Sequence, residues 1–261
     1  MWLKLNDMKR LLKKVFNQQL QKLSIDRITT IDDILYQYEM QRNVIRFLQI
    51  GANDGISNDP SAEFKSHAKW SGIFVEPQSG PFNLLKKNFA SKRYVCVNAA
   101  MDNKSGSRPL HKIGFSDSRK ANGLSTFSEE TMKRFFDTGY AQTVANEIEM
   151  TLELSEPDSW KKYVTQEEVT TISFDDLKSI NENKEFNVIL IDTEGFDAQI
   201  IDMISFSPRL DVVLFENAHL GKDDYSRSVQ KLKESGFAIK DIKADTIAFR
   251  NIYLPVFSSK F

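Results

Sequence analysis

The sequence predicts an α/β chain built on a doubly wound sheet. The sheet is mostly parallel, ends in one antiparallel strand, and is preceded by N-terminal helices. Three observations carry this. From Arg46 onward, short apolar runs at 47–50, 72–76, 94–98, 188–192 and 212–216 alternate with stretches of helical character. Several runs are apolar at consecutive positions, the pattern of parallel strands covered on both faces. Near the C-terminal end, 237–242 and 246–252 are separated only by Lys243, Ala244 and Asp245. So short a connection cannot make a parallel crossover, so these two segments pair as a hairpin.

The elements follow in order. Met8, Leu11, Leu12, Val15 and Phe16, prolonged by Leu20 and Leu23, form one apolar stripe at helical spacing. The other face carries Lys4, Lys9, Arg10, Lys13, Lys14 and Lys22 against Asp7. This helix is expected to pack on the domain or a partner subunit, with peripheral membrane or polyanion contact as the alternative. A second helix begins near Thr30, with Asp32 and Asp33 in its first turn. Residues 1–45 are therefore a helical extension and 46–261 the main domain. Within it, helices at 80–89 and 196–204 connect strands, and right-handed crossovers build the parallel sheet. Residues 128–166 break the rhythm: 131–146 reads as helix, and Pro157 with Trp160 marks a turn and an anchored second piece. This insertion would sit beside a ligand crevice, either as a substrate lid or as an excursion without substrate contact.

Composition narrows the functional classes. With 41% hydrophobic and 27% charged residues, the chain reads as an ordinary globular protein. A net charge of -1 gives no bulk attraction for nucleic acid. The single cysteine, Cys96, excludes an intramolecular disulfide and a cysteine-based zinc cluster. No run has the length of a transmembrane span and no secretory signal is visible, so the expected location is cytoplasmic. An oligomer is compatible with the sequence.

The chemistry gathers at strand ends. The first strand stops at Gly51-Ala52-Asn53-Asp54-Gly55, where glycines let backbone approach a ligand. The second stops at Glu76, held at the strand tip by Pro77, where a carboxylate can accept ribose hydroxyls. The loop lacks the G-x-G-x-x-G spacing that cradles a pyrophosphate, and Asp54 would repel one. S-adenosylmethionine, with no phosphate and with cationic groups, fits better than NAD. Asp192 and Glu194 flank Thr193 at the end of the 188–192 run and are placed for substrate, metal or proton-transfer work. Glu216 and Asn217 end the next run, and Asp192, Glu216 and Asn217 form an oxygen set suited to Mg²⁺. His219 follows that tip and suits a general base, or alternatively holds a loop. His67 and His111 receive no role. Asp59-Pro60 could reach the crevice, although turn initiation explains it more simply.

These residues resemble the FkbM family of S-adenosylmethionine-dependent methyltransferases. The matching segments are Gly51-Ala52-Asn53-Asp54-Gly55, Val75-Glu76-Pro77, Val97-Asn98-Ala99-Ala100 and the run VTTISFDDL at 169–177. Ile191-Asp192-Thr193-Glu194-Gly195, Phe215-Glu216, His219-Leu220 and Thr246-Ile247-Ala248 follow in order. The resemblance covers about 46–249 and leaves the N-terminal residues outside. It implies a class I methyltransferase (Rossmann-like) fold. Gly51, Asn53 and Gly55, with Ala52 and Asp54, would face the methionine moiety. Glu76 beside Pro77 would bind ribose, Asn98, Ala99 and Ala100 would flank adenine, and Asp192 would join the cofactor set. Two departures stand out: Gln49 replaces a frequent acid two residues before the first glycine, and Leu190 replaces a frequent lysine. The implied activity is O-methylation of a hydroxyl on a sugar, glycan or secondary metabolite. His219 or Asp192 would act as base, with Glu194 in the catalytic set. The rival readings are an NAD-dependent oxidoreductase and a non-catalytic module docking through the basic helix.

Overall fold

The structure, a computed structural model, describes residues 28–252. The helix expected over 8–23, with its membrane or partner contact, lies outside the described residues. Helix α1 (Ile31–Met40) begins where Thr30 caps it. The Thr30 hydroxyl accepts from the Asp33 amide at 3.2 Å, and the Asp33 carboxylate accepts from the Thr30 amide at 3.0 Å. This reciprocal box satisfies two otherwise unpaired donors. The buried face is Ile31, Ile34, Leu35 and Tyr38, one stripe at helical spacing.

The central sheet has seven strands: β1 (Ile45–Ile50), β2 (Trp70–Val75), β3 (Tyr94–Val97), β7 (Val188–Ile191), β8 (Val212–Glu216), β9 (Ala238–Ile242) and β10 (Asp245–Phe249). Their order is β3-β2-β1-β7-β8-β10-β9. The first five are parallel neighbours, and β10 runs antiparallel to both β8 and β9. Alternate residues feed two cores. Phe47, Phe74, Val188 and Leu190 pack on the α1 face, while Leu48, Ile73, Ile189 and Ile191 pack on the other. Burial on both sides is why these strands read as continuous apolar runs. Helix α2 (Ala62–Ser66) joins β1 to β2, and α3 (Ser79–Asn88) joins β2 to β3. Helix α8 (Asp197–Met203) joins β7 to β8, and α9 (Lys222–Glu234) leads into β9. The order reverses between β1 and β7, which opens a crevice at their carboxyl ends.

Between β3 and α7 (Phe174–Ile180) the chain makes a second layer. It holds a three-stranded sheet of β4 (Ala100–Met101), β6 (Val164–Ile172) and β5 (Gly106–Ile113), in that order. Helices α4 (Arg119–Gly123), α5 (Glu129–Asp137) and α6 (Tyr140–Asn146) and a 3-10 turn at Ser159–Tyr163 cover it. Met132, Phe135, Phe136, Val144 and Trp160 form its separate core. The irregular segment 128–166 is thus mounted on β5 from one side and β6 from the other. Both strands bury only part of one face, so neither shows a continuous apolar run.

Candidate active site

The crevice holds a cavity of about 510 Å³ beyond the ends of β1, β2, β7 and β8. At its floor Gly51 adopts φ +75°, and a Cβ there would lie 1.7 Å from the Asp192 carbonyl oxygen. Only glycine fits both the conformation and the approach. The Asn53 amide then donates to Glu76 Oε2 and the Gln78 amide to Oε1, each at 2.8 Å. Glu76 is thus locked at the tip of β2, with one backbone donor on each oxygen and lone pairs to spare. Burial pushes its carboxyl up to about 7, against the pull of those two bonds. Gly51, Ala52, Asn53, Glu76, Pro77, Ala99, Ala100, Asp192, Glu194, Glu216 and His219 all line this cavity.

Three expected cofactor residues have other contacts. Asp54 accepts from the Ile56 and Ser57 amides at 3.0 and 2.8 Å and from the Ser57 hydroxyl at 2.6 Å. Its carboxylate therefore closes the loop and does not line the cavity. Gly55 lies against α3 and its end, where a Cβ would meet Phe89 at 2.5 Å and Leu85 at 2.8 Å. Asn98 donates to the carbonyls of Glu76 and Pro77, both at 2.9 Å, and so pins the chain after β2.

One network was not legible in the sequence. Lys65, fully buried, donates to Gln49 Oε1 at 2.5 Å and also to Asp59 Oδ2. Gln49 Nε2 donates to the same Asp59 oxygen at 2.8 Å, and Asp59 Oδ1 accepts from the Ser61 amide and hydroxyl. Asp59 therefore both starts the turn and lines the cavity beside Gln49. The carboxylate missing at position 49 arrives from a later loop. Desolvation pulls the Lys65 ammonium down, and the Asp59 charge opposes it. Nothing in the pattern around Lys65 marks it as buried.

The acids at the tips of β7 and β8 form the opposite wall. Asp192 opens into the cavity, and its carboxylate accepts no hydrogen bond from the described residues. Its residue is exposed at the cavity mouth, and desolvation by the enclosing walls, then the charge of Asp197, shifts its carboxyl up to about 7. Asp197 is itself fully buried and accepts from the Thr193 hydroxyl at 2.9 Å and the Glu216 amide at 3.3 Å. Thr193 thus organises the loop, while Glu194 (φ 52°) turns toward His219. His219 Nε2 lies 3.3 Å from Glu194 Oε2 and 3.9 Å from Glu216 Oε1. Burial, then Asp192, pushes Glu216 up to about 9, and burial likewise holds Glu194 well above the carboxylate range. Desolvation, then Arg134, lowers the His219 imidazole. The rings of Phe135 and Tyr140 meet that imidazole edge-on at 5.2 and 5.1 Å, and an Arg134 guanidinium N–H donates to the His219 carbonyl at 2.6 Å. The second layer therefore closes over His219.

Of the expected Mg²⁺ set, Asp192 and Glu216 line the cavity and Asn217 does not. Asn217 Nδ2 donates to the Thr246 hydroxyl at 2.9 Å, which commits that side chain to β10. Among the described histidines, cysteines, aspartates and glutamates, the group with ligand spacing is Glu194, Glu216 and His219, with atoms all within 4.8 Å of one another. His67 instead pairs with Glu39 at 2.9 Å, and His111 lies in β5. No helix among the described residues is long and apolar enough to cross a membrane.

Comparison with known proteins follows the same lines. The pattern of the methyltransferase FkbM domain matches residues 49–239. Methyltransferase FkbM from Methylobacillus flagellatus KT is similar in structure at 10% identity and a TM-score of 0.45, over 80% of this chain and 44% of that one. The chain thus spans less than half the length of that relative. Precorrin-6y C5,15-methyltransferase from Geobacter metallireducens matches at 10% identity and 0.38, over 84% and 87%. Aeropyrum pernix fibrillarin with bound S-adenosyl-L-methionine matches at 10% and 0.36, over 84% and 73%. No curated protein matches the chain. S-adenosylmethionine is the methyl donor of the FkbM family. The Gly51 turn, where the backbone passes too close to Asp192 for any side chain, and the locked Glu76 carboxylate at the same cavity fit such a nucleoside donor. The sheet order with its closing antiparallel pair is that of class I methyltransferases, and the chain belongs to the methyltransferase FkbM domain family.

Proposed function

We propose that the chain transfers a methyl group from S-adenosylmethionine to a hydroxyl oxygen of a sugar, glycan or secondary metabolite. The observation that carries this is Asp192, a carboxylate without a hydrogen-bond partner among the described residues that opens into the cavity beside the Gly51 loop. Gly51, Ala52 and Asn53 would face the methionine end, Glu76 would accept from the ribose hydroxyls, and Ala99 and Ala100 would flank the base. When bound, the donor supplies an electrophilic methyl group on a sulfonium and leaves as a neutral thioether. The acceptor oxygen would form the new C–O bond as the donor's C–S bond breaks, and Asp192 would take the hydroxyl proton. A carboxylate raised to about 7 suits that transfer near neutral pH. Asp192 serves better than His219, whose Nε2 already faces Glu194 and whose ring is enclosed by Phe135 and Tyr140. Tyr140, Phe127 and Leu110 on the second layer give the acceptor side an apolar, aromatic wall suited to one face of a sugar ring.

The test is Asp192→Asn. It is expected to keep S-adenosylmethionine affinity within about threefold in calorimetry and to lose roughly 100-fold or more in turnover. Labelled-methyl transfer to nucleotide sugars and glycans, run with and without Mg²⁺, supplies the acceptor. Unchanged turnover in the variant would remove Asp192 from the reaction.

A further inference from the structure

The trio of Glu194, Glu216 and His219 sits beside the proposed reacting centre yet has no task in proton transfer. Its three side chains come from two loops and a strand tip: the turn after β7, the last residue of β8 and the segment after it. Their ligand atoms lie within 4.8 Å of one another, with His219 Nε2 between the two carboxylates at 3.3 and 3.9 Å. Independently, the Glu216 Oε2 atom is buried and has no hydrogen-bond partner among the described residues. Such an atom costs stability unless a proton or a cation meets it. Among the described residues, no lysine or arginine comes within ion-pair distance of either glutamate, and His219 is the basic side chain that does; Arg119, farther along the cavity wall, acts on Glu194 only at longer range. The surrounding acids Asp192 and Asp197 add negative charge to the same wall.

We propose that Glu194, Glu216 and His219 bind a divalent transition-metal ion, with the cavity side left open for a further oxygen ligand. Two carboxylates and one imidazole nitrogen suit Mn²⁺ or Zn²⁺ better than Mg²⁺, which prefers an all-oxygen shell. The open position faces the cavity that Asp192 also lines. An acceptor hydroxyl bound there would be oriented and acidified, and its proton would still leave to Asp192. That role rests on the O-methyl transfer reading; the binding of the ion does not.

The experiment uses the full chain, stripped with EDTA and dialysed. Mn²⁺ binding is followed by electron paramagnetic resonance and Zn²⁺ binding by calorimetry, each ion alone. Melting and S-adenosylmethionine affinity are measured on the same samples. One ion per chain is expected, with Glu216→Gln, Glu194→Gln and His219→Ala each weakening the tighter ion at least tenfold while the fold is retained. Should one variant fail to fold, the other two carry the comparison. Failure of both ions to bind, or binding that survives these substitutions unchanged, overturns the site. Loss of S-adenosylmethionine binding in a chain that still takes up the ion would instead strike the methyl-transfer reading alone.

Discussion

Glu76 and Asp192 are both acids shifted upward, but Glu76 is buried while Asp192 is open to the cavity, and their hydrogen bonds separate their work. Glu76 is fixed by two backbone amides as an acceptor for ribose hydroxyls, whereas Asp192 accepts no hydrogen bond from the described residues and is open to a proton from the acceptor. Gly51 shows how little tolerance the floor has. Gly51→Ala would put a methyl group 1.7 Å from a backbone oxygen in a left-handed conformation. The expected result is loss of S-adenosylmethionine binding in calorimetry and a melting temperature lower by several degrees. Wild-type affinity in that variant would show that the floor does not set the cofactor site. Gly51, Glu76 and Asp192 were legible in the sequence because each ends an apolar run, which fixes both direction and place. Lys65, Asp59 and Gln49 were not, because a buried ion pair between a short helix and a loop leaves no periodic trace. Asp54 and Asn217 make bonds the sequence does not show for a related reason. A polar residue beside a strand tip can bond its own loop or the next strand as readily as a ligand.

Among the elements, the strands buried on both faces and the hairpin were read to within a few residues. Helix α1 was foretold by Thr30 and its acidic first turn. Thr30→Ala is expected to cost about 1 kcal/mol in denaturant unfolding, since it removes half of the capping box, while cofactor affinity stays unchanged. A loss of affinity would mean that α1 does more than cover the sheet. The second layer was visible only as broken rhythm. Strands β5 and β6 bury only two residues each and carry charges, so they lack the signature of the central sheet. Its contact with the site runs through Tyr140, Phe135 and Arg134 around His219. Tyr140→Ala should raise the acceptor KM severalfold and leave the S-adenosylmethionine Kd in place. Equal effects on both would indicate a general collapse of the layer.

At the scale of the molecule, the sheet reverses order between β1 and β7, and almost every candidate residue lies at that edge. The concentration of buried acid there has a thermodynamic consequence. Glu76 has a folded pKa of about 7 against an ordinary 4.5. Its stabilising contribution is therefore complete below about 4.5 and is lost as the pH rises toward 7, by order 3 kcal/mol at most. The ligand-free protein should melt lower at pH 7.5 than at pH 5, and Glu76→Gln should flatten that slope. An unchanged slope would place the pH sensitivity elsewhere. The same residue gives the most direct test of the central claim, that this edge binds S-adenosylmethionine between the Gly51 floor and the Glu76 carboxylate. The measurement is calorimetric titration of the folded protein with S-adenosylmethionine, alongside Glu76→Ala. The account predicts one site per chain, weakened at least tenfold in the variant. A folded wild-type protein that takes up no S-adenosylmethionine, or a variant that binds it equally well, would contradict it.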